Sequence, residues 1–94
     1  GDLYLENEKQ MSFFNFKLAS KNHLQNSFKY HEESAKNLIE NKLPIPAYEQ
    51  CIKASHSFNL LDSRGLVSVS ERQAYILRIR SLVQNCCKLV KKNV

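Results

Sequence analysis

Pro44-Ile-Pro46-Ala-Tyr48-Glu-Gln-Cys51-Ile-Lys-Ala54-Ser-His-Ser-Phe58-Asn-Leu-Leu61-Asp62-Ser-Arg-Gly65-Leu-Val-Ser68-Val-Ser-Glu71-Arg72 is the stretch that decides the fold. Each proline biases the residue before it toward extended backbone, so residues 41 to 46 read as a connection. Pro46 suits the first turn of the next helix, where an N–H would go unpaired anyway. From there Ala47, Tyr48, Cys51, Ala54, Phe58 and Leu61 recur at three- and four-residue steps, which predicts a helix over 46–62. Gly65 can take the left-handed conformation that ends such a helix. Ser68-Val-Ser-Glu71 then has the form of a capping box, in which the Ser68 hydroxyl accepts from the Glu71 amide and the Glu71 carboxylate accepts from the Ser68 amide.

Working outward toward the C-terminus, Val69, Ile76, Ile79, Leu82, Val83, Cys86, Cys87, Leu89 and Val90 form a broad apolar arc. They predict a helix over 69–92 that touches more than one neighbour. Toward the N-terminus, Ser20 can cap a helix over 21–40 whose stripe is Leu24, Phe28, His31, Ala35, Leu38 and Ile39. Leu3, Tyr4, Met11, Phe14 and Leu18 share one arc and predict a helix over 3–18. The expectation is an all-α bundle of four main helices in one domain spanning 1–94. Two glycines and two prolines are too little turn chemistry for a many-stranded β protein.

Fourteen Lys and Arg against nine Asp and Glu leave a net charge of +5, a balance that favours an anionic partner where the charge is clustered. Three cysteines, two of them adjacent at Cys86 and Cys87, are not the spaced even set of a secreted disulfide scaffold. A reducing cytoplasmic setting is expected. An apolar run of ~20 residues is lacking and the N-terminus has no basic-then-apolar pattern, so neither membrane insertion nor export is expected.

The sequence holds no Gly-x-Ser-x-Gly elbow and no phosphate-cradling glycine loop. His23, His31, His56, Cys51, Cys86 and Cys87 lack the close pairing of zinc ligands. We assign no catalytic, cofactor-binding or metal residue. His31 reads as a hydrogen-bonded core histidine, and Cys86 and Cys87 as small core side chains.

Two features resist that reading. Asp62 and Arg72 project from the apolar arcs of neighbouring helices, where a charge is costly unless paired, and they are expected to form a buried bidentate ion pair across the turn. Leu60 and Leu77 point instead to polar sides and are candidates for a docking surface. Arg64, Arg78, Arg80, Lys88, Lys91 and Lys92 are candidates for contact with a partner or with RNA.

From Pro44 to Arg80 the residues are specific enough to carry a resemblance. Pro-Ile-Pro-Ala-Tyr, Lys53-Ala-Ser-His-Ser-Phe-Asn-Leu-Leu-Asp62-Ser-Arg-Gly65, Val67-Ser-Val-Ser-Glu71-Arg72-Gln73 and Tyr75-Ile-Leu-Arg78-Ile-Arg80 closely resemble the C-terminal region of the alpha subunit of heterotetrameric bacterial glycine–tRNA ligase. Gly-Asp-Leu-Tyr, Asn7-Glu8 and Asn15-Phe16 extend the likeness to the N-terminus. Ser63, Ser70 and Ala74 depart from the residues usual there.

The resemblance implies a class II aminoacyl-tRNA synthetase that uses ATP with magnesium to attach glycine to tRNA(Gly), working as two alpha and two beta subunits. It implies that these residues are an accessory C-terminal helical domain, inactive by itself and lacking the catalytic domain. Its expected partners are the beta subunit, a second alpha subunit and tRNA(Gly). The alternative is a freestanding helical protein-interaction or RNA-binding module.

Overall fold

The computed structural model describes the backbone of residues 2–92 and the side chains of residues 20–91. Among the described residues the protein is three helices with no strand: α1 (Asp2–Glu40), α2 (Pro44–Ser63) and α3 (Val69–Lys92). The two N-terminal helices expected over 3–18 and 21–40 are one. The physical reason is plain in the sequence, since neither Gly nor Pro stands between Asp2 and Glu40 to interrupt the backbone ladder. Ser20 caps nothing; it lies within α1, and its hydroxyl accepts from the Arg64 guanidinium at 2.6 Å. The apolar arc expected at Leu3, Tyr4, Met11, Phe14 and Leu18 lies outside the described side chains.

Both reversals are built on left-handed residues. At the end of α1, Lys42 has φ of 60°. The Lys42 amide donates to the Ile39 carbonyl at 3.0 Å and the Leu43 amide to the Leu38 carbonyl at 2.9 Å, the paired bonds of a Schellman ending. α2 ends the same way: Gly65 has φ of 65°, its amide donates to the Asp62 carbonyl at 3.0 Å, and the Leu66 amide donates to the Leu61 carbonyl at 2.9 Å. Leu66 and Leu61 are buried together beneath that turn.

α2 begins at Pro44, two residues before the predicted start. Both prolines therefore sit in its first turn, where a missing N–H costs little, and the Ala47 amide makes an early helical bond to the Leu43 carbonyl at 3.2 Å. α3 opens on the predicted capping box. The Glu71 amide donates to the Ser68 hydroxyl and the Ser68 amide to Glu71 Oε1, both at 3.2 Å. The Ser68 amide also holds the Glu71 carboxyl below its ordinary range.

α1 packs chiefly on α2, through two apolar clusters. The first gathers Leu24 and Phe28 of α1, Ala54, Phe58 and Leu61 of α2, Leu66 of the turn and Tyr75 of α3. Phe28, wholly buried, meets Tyr75 edge-on with ring centroids 4.7 Å apart. Burying a side chain of that size contributes about 2 kcal/mol or more, and an edge-on aromatic pair adds to it. The second cluster joins Ala35, Ala47, Cys51, Leu82 and Cys86, with Leu38, Ile39 and Val83 packed around it. Its small side chains let the helix backbones approach closely.

Candidate interaction surface

The layer between the two clusters is ionic. Along α1, Glu32 lies one turn beyond Phe28 and just short of Ala35; along α3, Arg78 lies between Tyr75 and Leu82. Arg78 Nε donates to Glu32 Oε2 at 2.8 Å and Nη2 to Oε1 at 2.6 Å, a bidentate fork between the two helices. The Arg78 guanidinium also lies over the Phe28 and Tyr75 rings, 4.8 and 5.2 Å from their centroids. Glu32 is buried, and the Arg78 fork holds its carboxyl below the ordinary value, outweighing the opposing effect of burial. The same bonds push the Arg78 guanidinium up. Arg78, expected among the candidates for RNA contact, is thus engaged within the protein, and nothing in the sequence reading singled out Glu32.

Asp62 and Arg72 do meet. Arg72 Nε and Nη2 both reach Asp62 Oδ1, at 2.9 and 2.8 Å, so the fork closes on one oxygen and not on two. The pair is not buried: half of the Arg72 side chain and a third of the Asp62 side chain face solvent. The expectation of a buried pair fails because the core arc of α3 is centred on Tyr75, Leu82 and Cys86, and Arg72 stands about 60° round the helix from Tyr75. The same rotation leaves Val69 and Cys87 exposed and Ile76 and Val90 partly so, although the sequence arc counted all four as core.

The two leucines do not form one surface. Leu60 is partly buried against the first cluster, whereas Leu77 is exposed on α3. Arg64 is engaged with Ser20. Arg80, Lys88 and Lys91 are exposed and make no ion pair among the described residues; the Lys92 side chain lies outside them. His31 is half-buried and hydrogen-bonded as expected, its Nδ1 2.7 Å from Gln50 Oε1. His23 and His56 are exposed. No cluster of three His, Cys, Asp or Glu among the described residues is placed to hold a metal ion.

What the sequence reading missed is a second apolar row on α2. Ile45, Tyr48 and Ile52, at three- and four-residue steps, are 76%, 51% and 53% exposed. Tyr48 was expected inside; it belongs to this outer row. Pro44, Ile45, Tyr48 and Glu49 of α2 face Cys86, Cys87 and Val90 of α3 across an open groove of about 490 Å³. The signal was present in the spacing of Ile45, Tyr48 and Ile52. It was masked because α2 is apolar on two faces, and one stripe satisfied the periodicity.

Fold and surface together define a small helical scaffold, tied internally by an ion-pair clamp and carrying an apolar groove on its outside. A family model described as the glycyl-tRNA synthetase alpha subunit matches residues 1–94. The chain belongs to that family. It is 49% identical over 95% of its length to the chloroplastic/mitochondrial glycine–tRNA ligase 2 of Arabidopsis thaliana, covering 8% of that protein. It is 47% identical over 93% of its length to the glycine–tRNA ligase alpha subunits of two strains of Rickettsia bellii, covering 30% of each. The chain thus spans less than a third of the length of these relatives. Among the described residues no helix is long and apolar enough to cross a membrane.

Proposed function

We propose that these residues are an accessory helical domain of a glycine–tRNA ligase alpha subunit, and that the domain serves subunit assembly through the groove between α2 and α3. The observation that carries this reading is the exposed row Ile45, Tyr48 and Ile52 beside that groove, in a chain whose family is that of a subunit. Large apolar side chains aligned in solvent are characteristic of surfaces that meet a partner. The partner in this reading is the beta subunit of a cytoplasmic alpha2-beta2 enzyme, with a second alpha subunit completing the tetramer.

The chemistry of the parent is class II aminoacylation, in which ATP with magnesium activates glycine for transfer to tRNA(Gly). The groove does not fit ATP: its walls are apolar and its one charged residue, Glu49, repels a triphosphate. In this reading the groove is a protein-docking surface and not an adenylation site. Contact with tRNA is the second reading, favoured by the charge of α3, which carries no acidic residue after Glu71 while Arg80, Lys88 and Lys91 are exposed on it.

The test is a full-length alpha subunit carrying Ile45→Asp and Tyr48→Asp. Assembly with beta should be lost while glycine-dependent ATP–pyrophosphate exchange by alpha persists. Normal assembly would remove the groove from the interface, and salt-dependent loss of tRNA binding on Lys88→Glu with Lys91→Glu would favour the second reading.

A further inference from the structure

Cys51 of α2 and Cys86 of α3 face each other in the second apolar cluster, 2% and 3% exposed, with their sulfurs 3.8 Å apart. That separation is van der Waals contact, too long for a covalent bond, so the two sulfurs must approach further to reach the ~2.05 Å of a disulfide. The two thiols differ in access. Cys86 lines the apolar groove, whereas Cys51 does not, and burial together with the contact to Cys86 pushes the Cys51 thiol up to about 12. Cys51 therefore keeps its proton at neutral pH and is shielded from solvent. Cys87, the next residue along α3, is exposed on the groove.

We propose that Cys51 and Cys86 are an oxidation site, at which a small uncharged hydroperoxide entering the groove converts the dithiol to an intramolecular disulfide that locks α2 to α3. In the first step the Cys86 sulfur attacks the peroxide oxygen; the O–O bond breaks, Cys86 becomes a sulfenic acid and one water (or alcohol) leaves. In the second, the Cys51 sulfur attacks the sulfenic sulfur, its proton goes to the departing hydroxyl, and a second water leaves as the S–S bond forms. The two thiols lose two electrons and the peroxide gains them. The groove that reaches Cys86 is lined by Pro44, Ile45, Tyr48 and Val90 and carries one charge, that of Glu49, which favours an uncharged oxidant over an anionic one.

The lock closes a loop running from residue 51 to residue 86, removing chain entropy from the unfolded state. It joins the elements on the two sides of the groove, so it also fixes the groove's width. This inference rests on the positions of the two sulfurs and stands whether or not the groove binds a subunit.

The experiment exposes the 94-residue chain to hydrogen peroxide, alkylates what remains free and maps peptides without reduction. The expected result is a Cys51–Cys86 linked peptide lighter by two hydrogens, with Cys87 alkylated. A thermal midpoint raised by at least about 5 °C, reversed by dithiothreitol, should accompany it. Cys87→Ser should retain the link and the shift; Cys51→Ala and Cys86→Ala, checked for helicity by circular dichroism, should each abolish both. A dimer linked through Cys87, a sulfinic acid at Cys86 beside free Cys51, or full alkylation of all three cysteines after oxidation would each overturn the proposal.

Discussion

Arg78 of α3 grips Glu32 of α1 by both arms of its guanidinium, at 2.8 and 2.6 Å, and does so between two apolar clusters. Each cluster shields one side of the pair, while the outer edge of Arg78 stays open to water. The result is a specific distance and rotation between helices whose apolar contact alone would permit sliding.

Breaking this pair from one side should cost more than removing it. Arg78→Met leaves the buried Glu32 carboxylate without its partner and should destabilise the chain by about 2 kcal/mol, the half-open edge of Arg78 lowering the figure expected for a fully buried pair. Glu32→Leu combined with Arg78→Met should cost less than Arg78→Met alone. Urea unfolding of the three variants measures both, and equal losses would show that Glu32 is rehydrated without its partner.

The Glu32 carboxyl also sets a pH dependence. Its folded value lies below the ordinary 4.5, so its contribution is fully present above that value and disappears as pH falls through the lower folded value. Thermal midpoints of the wild type and Glu32→Gln should therefore differ most above about pH 5 and converge in acid. Glu71, shifted in the same direction by its cap, titrates in both proteins and cancels in the difference. A gap that widens on acidification would contradict the assignment.

Asp62 and Arg72 make the instructive contrast. They are joined at 2.8 Å, yet half of Arg72 is in solvent. Arg72→Met should cost less than about 1 kcal/mol, and the loss should shrink in high salt. Denaturation of this variant beside Arg78→Met ranks the two pairs directly.

The two left-handed turns predict opposite outcomes for glycine. Lys42 adopts φ of 60° with a side chain that disfavours it, so Lys42→Gly should stabilise the chain by up to about 1 kcal/mol. Gly65→Ala should cost about 1 kcal/mol through the backbone alone, because a Cβ there meets nothing within 4 Å. Chemical denaturation of the two variants checks the signs.

The helical class, the ending at Gly65 and the capping box of Ser68 and Glu71 were legible because each depends on residues a few positions apart. The merger of residues 2–40 into one helix was legible in principle from the lack of Gly and Pro, but Ser20 offered a plausible cap, and that it instead accepts from Arg64, 44 positions away, is not visible in the local sequence. The Glu32–Arg78 clamp was hidden because its members are 46 positions apart and neither stands out alone. Rotation of the α3 core toward Tyr75, which the apolar arc did not include, moved Cys87 and Val90 onto the groove. Such a rotation is fixed by packing against two helices at once, and no single-helix periodicity contains it.

Direct binding of this chain to the beta subunit tests the central claim most plainly. Sedimentation of the 94 residues mixed with purified beta should give a complex, and Ile45→Asp with Tyr48→Asp should abolish it while circular dichroism shows the helices intact. A complex that survives both substitutions, or no complex between the wild-type chain and beta at any practical concentration, would contradict the assignment of the groove to subunit assembly.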